Sequence, residues 1–158
     1  MSVENVWANK VEYSISVPHK AVVFGGTLPL NLRLSPLLKG LELGDVQARL
    51  LEIRECTSGG PYRSKECRVE REVGKWKFGA GPQHWHDSID ETGQEGWVIE
   101  KKLDLPKRLR GCVQDFSRHG VKVRHKVKLT IGLRNPDGHI SEVGIPLIPF
   151  RFVCRNVY

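Results

Sequence analysis

A chain of 158 residues with 39% hydrophobic and 27% charged residues, and with 16 glycines and 9 prolines scattered along its length, suits one folded domain and excludes a disordered tail or a helical bundle. No apolar run approaches the roughly 20 residues that a bilayer-crossing helix requires, and the N-terminal MSVENVWANK lacks the apolar core of a secretory signal. The net charge of +7 points to an anionic partner if it is gathered in one place.

Val11, Tyr13, Ile15 and Val17 alternate with Glu12, Ser14 and Ser16 until Pro18 stops the run, so the first strand is expected there. After Gly25-Gly26-Thr27, Leu28, Leu30, Leu32 and Leu34 form a second. Pro29 has no N–H to give to a ladder and belongs at that strand's start or on an edge. Residues 35–41, SPLLKGL, read as an ordered loop or a single helical turn, with Pro36 at a first helical position and Gly40 as the stop. Val46, Ala48 and Leu50, followed by Ile53 after a bulge at Leu51, make a third strand with Gln47 and Arg49 outward. Residues 56–71 read equally as an exposed strand or a loop. The stretch 74–96 is the least regular, with Trp76, His84, Trp85 and His86 among its glycines. Trp97 and Ile99 and, out of phase with them, Leu103 and Leu105 restore alternation before Pro106.

The next stretch, VKVRHKVKLTIGLRNPDG over 121–138, is the most regular. Val121, Val123, His125, Val127, Leu129, Ile131 and Leu133 share one face, and Lys122, Arg124, Lys126, Lys128 and Arg134 share the other. A period of two is the mark of a long strand with one buried and one wet side. Asn135-Pro136-Asp137-Gly138 supplies a turn, Ile140 and Val143 resume the pattern, and Ile145, Leu147 or Ile148, Phe150 and Phe152 close the chain. Six to eight short strands with almost no helical periodicity predict an all-β fold, an antiparallel immunoglobulin-like β-sandwich forming a single domain over 1–158.

Nine lysines and arginines fall between Lys107 and Arg134 against one acid, Asp115, so the basicity is a patch. The residues expected to bind a membrane or partner are Lys122, Arg124, Lys126 and Lys128, extended by Lys107, Arg108 and Arg110. Cations on alternate residues stand about 6.5 to 7 Å apart along a strand, a spacing that engages several anionic lipid headgroups or the acidic residues of a tail at once. The same cations would equally keep a strand face solvated and blunt edge pairing. Nucleic acid is not the expected partner, because no aromatic residues interleave the patch for base stacking and no recognition helix is present.

Cys56, Cys67, Cys112 and Cys154 show no CxxC pair, so reduced thiols in a cytoplasmic protein are expected, not a zinc centre. His84 and His86, with Asp87, stand at a metal-ligand spacing, but two histidines in a glycine-rich loop are ordinary surface residues, and no metal or other cofactor is expected. No nucleophile elbow, P-loop or HExxH motif occurs, and a pair such as Cys112 and His119 carries no specific signal. No catalytic residue, and hence no enzyme, is expected. His125, on the apolar face of the long strand, reads as a buried neutral histidine bonded across the sheet, with a pH-sensing role as the alternative.

Three segments together, VPHKAVVFGGTLPLNLRLSPLLKGLELGDVQARLLE (17–52), LDLPKRLRGCVQD (103–115) and GVKVRHKVKLTIGLRNPDGHISEV (120–143), resemble the C-terminal arrestin domain of fungal α-arrestins, the arrestin-related trafficking adaptors. The resemblance implies an immunoglobulin-like sandwich that is one half of a longer two-domain arrestin. It implies a non-enzymatic adaptor that links plasma-membrane transporters or receptors to a HECT-type ubiquitin ligase of the Nedd4 class, and a cytoplasmic protein peripheral to the plasma membrane or endosomes. Ligase WW domains take PPxY motifs, and this chain carries only Gly60-Pro61-Tyr62, so the ligase is expected to engage motifs outside it. The second reading is a structural module that forms a homodimer through exposed strand edges or the 74–96 segment.

Overall fold

The computed structural model describes residues 2–7, 9–17, 21–23, 25–62, 64–107 and 113–153, the last eight by backbone alone. Among them run eleven strands: β1 Ser2–Trp7, β2 Val11–Ser16, β3 Ala21–Val23, β4 Thr27–Pro36, β5 Glu42–Ser58, β6 Lys65–Phe78, β7 His86–Asp87, β8 Trp97–Asp104, β9 Phe116–Arg118, β10 Val121–Arg134 and β11 Ile140–Val153. A single four-residue helix, α1 Ile89–Thr92, precedes β8. No helix among the described residues is long and apolar enough to cross a membrane.

The strands form two sheets. One has the order β1-β2-β4-β8-β7 and the other β3-β11-β10-β5-β6, with β9 pairing the start of β10. All pairs are antiparallel except β11 with β3. Alternation explains the arrangement, because one face of each sheet is aliphatic and the two close on each other. Ile15, Leu32 and Ile99 form one rung across β2, β4 and β8. They meet Ala48, Leu50, Val127, Leu129 and Ile131 of the second sheet in one core cluster.

Several expectations hold in detail. The loop reading of 35–41 holds over 37–40, whereas Pro36, expected at a first helical position, instead ends β4 opposite Val11. Pro29 lies near the start of β4, before the β2 ladder that begins at Asn31, so its missing N–H costs nothing on that side. The open segment 56–71 is strand on both sides of a short loop, because β5 runs on to Ser58 and β6 begins at Lys65. The strand count exceeds the expected six to eight because β1, β3, β7 and β9 are short or show no alternation.

Two phase readings are corrected. The register shift between β5 and β6 leaves Val73 as the extra residue on β6, since Leu50 pairs Gly74 and Leu51 pairs Glu72. Thus β5 keeps its phase, Glu52 takes the inward place after Leu50, and Ile53, on the opposite face in register with Arg124, is nonetheless fully buried. Likewise β8 runs without a break against β4, so Leu103 shares the face of Trp97 and Ile99. The place between is held by Lys101, whose ammonium lies 5.4 Å from the Phe78 ring centre and donates to His84 Nδ1 at 3.0 Å. Near its far end β10 carries a second shift, where Gly44 and Asp45 of β5 meet Gly132. A Cβ on Gly44 would stand 2.9 Å from the Gly132 carbonyl oxygen, so the close approach needs glycine.

Candidate functional site

The outer face of the second sheet carries the expected cation ladder. Lys122 is exposed, and Arg124, Lys126 and Lys128 are half-buried along β10. The inward side of the same strand, from Val123 to Leu133, is buried, which forces the alternate residues outward. The four are not equivalent. Arg124 Nη2 pairs with Glu55 Oε1 at 2.6 Å, and Arg68 approaches the same carboxylate at 3.7 Å. Lys122, Lys126 and Lys128 have no carboxylate within 4.0 Å among the described residues, and Lys128 stands opposite Arg49 in register. Further cations on the β5 and β6 part of this face are answered by acids, Arg49 by Glu72 at 3.9 Å and Lys77 by Asp45 at 3.1 Å. Acids thus neutralise part of the flank, while Lys75 of β6, in register with Arg49, and the β10 lysines have no carboxylate within 4.0 Å among the described residues.

Lys107 is exposed and packs against Gly25 just after β3. In the sheet order β11 lies between β3 and β10, so the structure does not join Lys107 to the ladder. Arg108 and Arg110, and also Cys112 and Cys154, lie outside the described residues. His84 and His86 go to separate partners, His84 to Lys101 and His86 Nε2 to Glu91 Oε1 at 3.5 Å. Gly60-Pro61-Tyr62 falls in the loop between β5 and β6, with Tyr62 97% exposed.

Beneath the ladder the sheet holds a polar cluster that the sequence only half announced. His125 is buried, as expected, and bonds across the sheet to its register partner Glu52, Nε2 to Oε2 at 3.3 Å. Its Nδ1 lies 2.5 Å from Asp115 Oδ1. A carboxylate oxygen thus stands at each ring nitrogen, Asp115 at Nδ1 and Glu52 at Nε2. Glu52 is fully buried. It also receives Arg54 Nε at 2.7 Å, Arg71 Nη2 at 3.1 Å and the Val113 amide at 3.0 Å. Burial pushes its carboxyl up, but the Val113 amide, Arg54, His125 and Arg71 together outweigh that and hold it at about 2. Both ring nitrogens of His125 are engaged within the fold. The cluster is architecture, tying β5, β6, β10 and the lead-in to β9 into one knot.

The chain matches the family model described as the arrestin (or S-antigen) C-terminal domain over residues 7–148. It is similar to the probable HECT-type ubiquitin ligase-interacting protein creD of Aspergillus clavatus, 41% identical over 165 aligned residues that cover 99% of this chain and 26% of that protein. It is equally similar to the HECT-type ubiquitin ligase-interacting protein creD of Emericella nidulans, at 41% identity over 160 residues, 99% of this chain and 27% of that one. The chain thus spans about a quarter of the length of the curated relatives it matches. Among solved structures, the sporulation control protein Spo0M of Bacillus subtilis aligns with a TM-score of 0.40 and 9% identity, covering 90% of this chain and 49% of that one.

Proposed function

Given that the chain belongs to the arrestin C-terminal domain family, we propose that it is one half of a two-domain, non-catalytic adaptor that presents membrane proteins to a HECT-type ubiquitin ligase at the cytoplasmic face of the plasma membrane or endosomes. The observation that carries this reading is the match of nearly the whole chain to relatives named as HECT-type ubiquitin ligase-interacting proteins, each about four times longer. The ligase would be engaged elsewhere in such a protein, because Gly60-Pro61-Tyr62 lacks the second proline and the spacing of a WW-domain ligand. The cargo would be a transporter or receptor tail.

Within that adaptor the β10 ladder is the face turned toward the anionic leaflet. Lys122, Lys126 and Lys128 support this role because no acid among the described residues lies within 4.0 Å of them, whereas Arg124 is already committed to Glu55. Each lysine near an anionic surface contributes on the order of 1 kcal/mol. Three contribute about 3 kcal/mol, or roughly a hundredfold in affinity, and the binding weakens as salt shortens the reach of the charges. Reversing the three together, Lys122→Glu, Lys126→Glu and Lys128→Glu, is expected to abolish co-sedimentation with phosphatidylserine vesicles. Lys102→Glu on the other sheet should leave it intact. Equal binding by the triple variant and the unaltered protein overturns the membrane role.

A further inference from the structure

Cys56 and Cys67 are far apart in sequence numbering terms for a redox pair, yet they face each other directly across β5 and β6. Both are exposed free thiols. They sit two rungs from the tip of a hairpin whose last pair is Ser58 with Lys65, and every described β6 residue from Lys65 to Glu72 is exposed. Solvent and small oxidants therefore reach both sulfurs. We infer that Cys56 and Cys67 are a reversible cross-strand dithiol, oxidised by a peroxide to a disulfide that clips the hairpin arm.

The backbone decides what kind of disulfide this is. Thr57 N–H donates to the Gly120 carbonyl at 2.8 Å, so Thr57 turns its amide groups toward the β10 side. Cys56, one residue earlier, turns its own toward β6. Cys56 and Cys67 are then a hydrogen-bonded pair, with Cα atoms about 5.5 Å apart, well within the range that disulfides span. Their Cβ atoms, about 5 Å apart in such a pair, must close to about 3.8 Å. The bond can form, but under strain. Strained, exposed disulfides are the easily reduced ones, and this selects a switchable bond over a permanent staple.

The chemistry balances with a hydroperoxide as oxidant. The thiolate sulfur of one cysteine attacks the O–O bond and becomes a sulfenic acid while the alcohol leaves. The second thiol then displaces water from that sulfur, so two thiols and one hydroperoxide give one disulfide, one alcohol and one water. The pair lies on the side of the arm opposite the cation ladder. Further along on the same side, Arg54 pairs in register with Val69 and Glu52 with Arg71, and Arg54 and Arg71 both hold Glu52. Closing the bond fixes the arm's register without covering the lysines.

The test is mild hydrogen peroxide on the purified chain, followed by intact mass and peptide mapping. The expected result is loss of two hydrogens, a linked peptide joining Cys56 to Cys67, slower amide exchange over 54–58 and 65–71, and full reversal by glutathione. Cys67→Ser, an exposed and conservative change, should abolish the linked peptide while leaving the fold intact by circular dichroism. Unreacted thiols, separate sulfinic or sulfonic acids without a link, or linkage of either residue to Cys112 or Cys154 would each overturn the inference.

Discussion

Glu52→Ala is expected to lower the unfolding free energy by about 3 to 5 kcal/mol, the range seen when one partner of a buried charged group is removed and the others are stranded. The expectation comes from the partner count. One carboxylate receives two guanidinium groups, the Val113 amide and His125, and it has no solvent exposure to replace them. Removing it deprives Arg54, Arg71 and His125 of the carboxylate they share. Arg54→Ala should cost much less, because Arg54 is 47% exposed and Arg71 shares the same oxygen. Urea unfolding measures both, and a Glu52→Ala loss under 1 kcal/mol would show that the knot is not stabilising. The acid limb gives an independent check. With its carboxyl held at about 2 in the fold against 4.5 when unfolded, Glu52 contributes fully above pH 4.5, and the contribution is withdrawn as pH falls toward 2. In Glu52→Gln the stability profile should flatten across that window.

Leu32→Ala should cost about 2 to 5 kcal/mol through lost burial and the cavity left behind. Leu32 is fully buried on the central strand of its sheet, between Ile15 and Ile99, which are 0% and 2% exposed. Ile15 is held by ladders on both sides and Ile99 by the β4 ladder, so they resist moving in to fill the space. A urea midpoint that falls with unchanged slope is the expected readout. Leu37→Ala, on the turn after β4 and 52% exposed, should stay within about 0.5 kcal/mol. Equal losses at the two sites would contradict the assignment of the core.

The sandwich was legible wherever aliphatic residues alternate. The rows through β2, β4, β5 and β10 follow the period of two, and the outward direction of Lys122 to Lys128 follows from it. What escaped were places where a charged side chain occupies an inward position. Glu52 in the row after Leu50, and Lys101 in the row after Ile99, each look like a slip of phase, and in both cases the strand runs straight. Glu52 is tolerated there because four donors meet it, and Lys101 because its stem lies along the sheet and its ammonium ends over Phe78. Apart from Arg54, two residues along the same strand, those partners are distant in sequence, so no local pattern announces them. The edge strand β6 escaped for a different reason: exposed on both faces over most of its length, it has no apolar side to alternate. For the ladder itself, sequence gave the positions of the cations but could not show that Glu55 had already claimed Arg124 from the neighbouring strand.

The extra residue in β6 bears on how the protein behaves when many copies are crowded together. On one side of Val73 the inward positions are Gly74, Trp76 and Phe78, and on the other they are Arg71, Val69 and Cys67, so the two halves of the strand are out of step. A second chain adding to that border would need a matching irregularity to stay hydrogen-bonded along its whole length, and it would also meet a row of alternating charges. Growth of a continuous cross-chain fibril from this rim is thereby frustrated, and local enrichment of copies need not lead to irreversible aggregation.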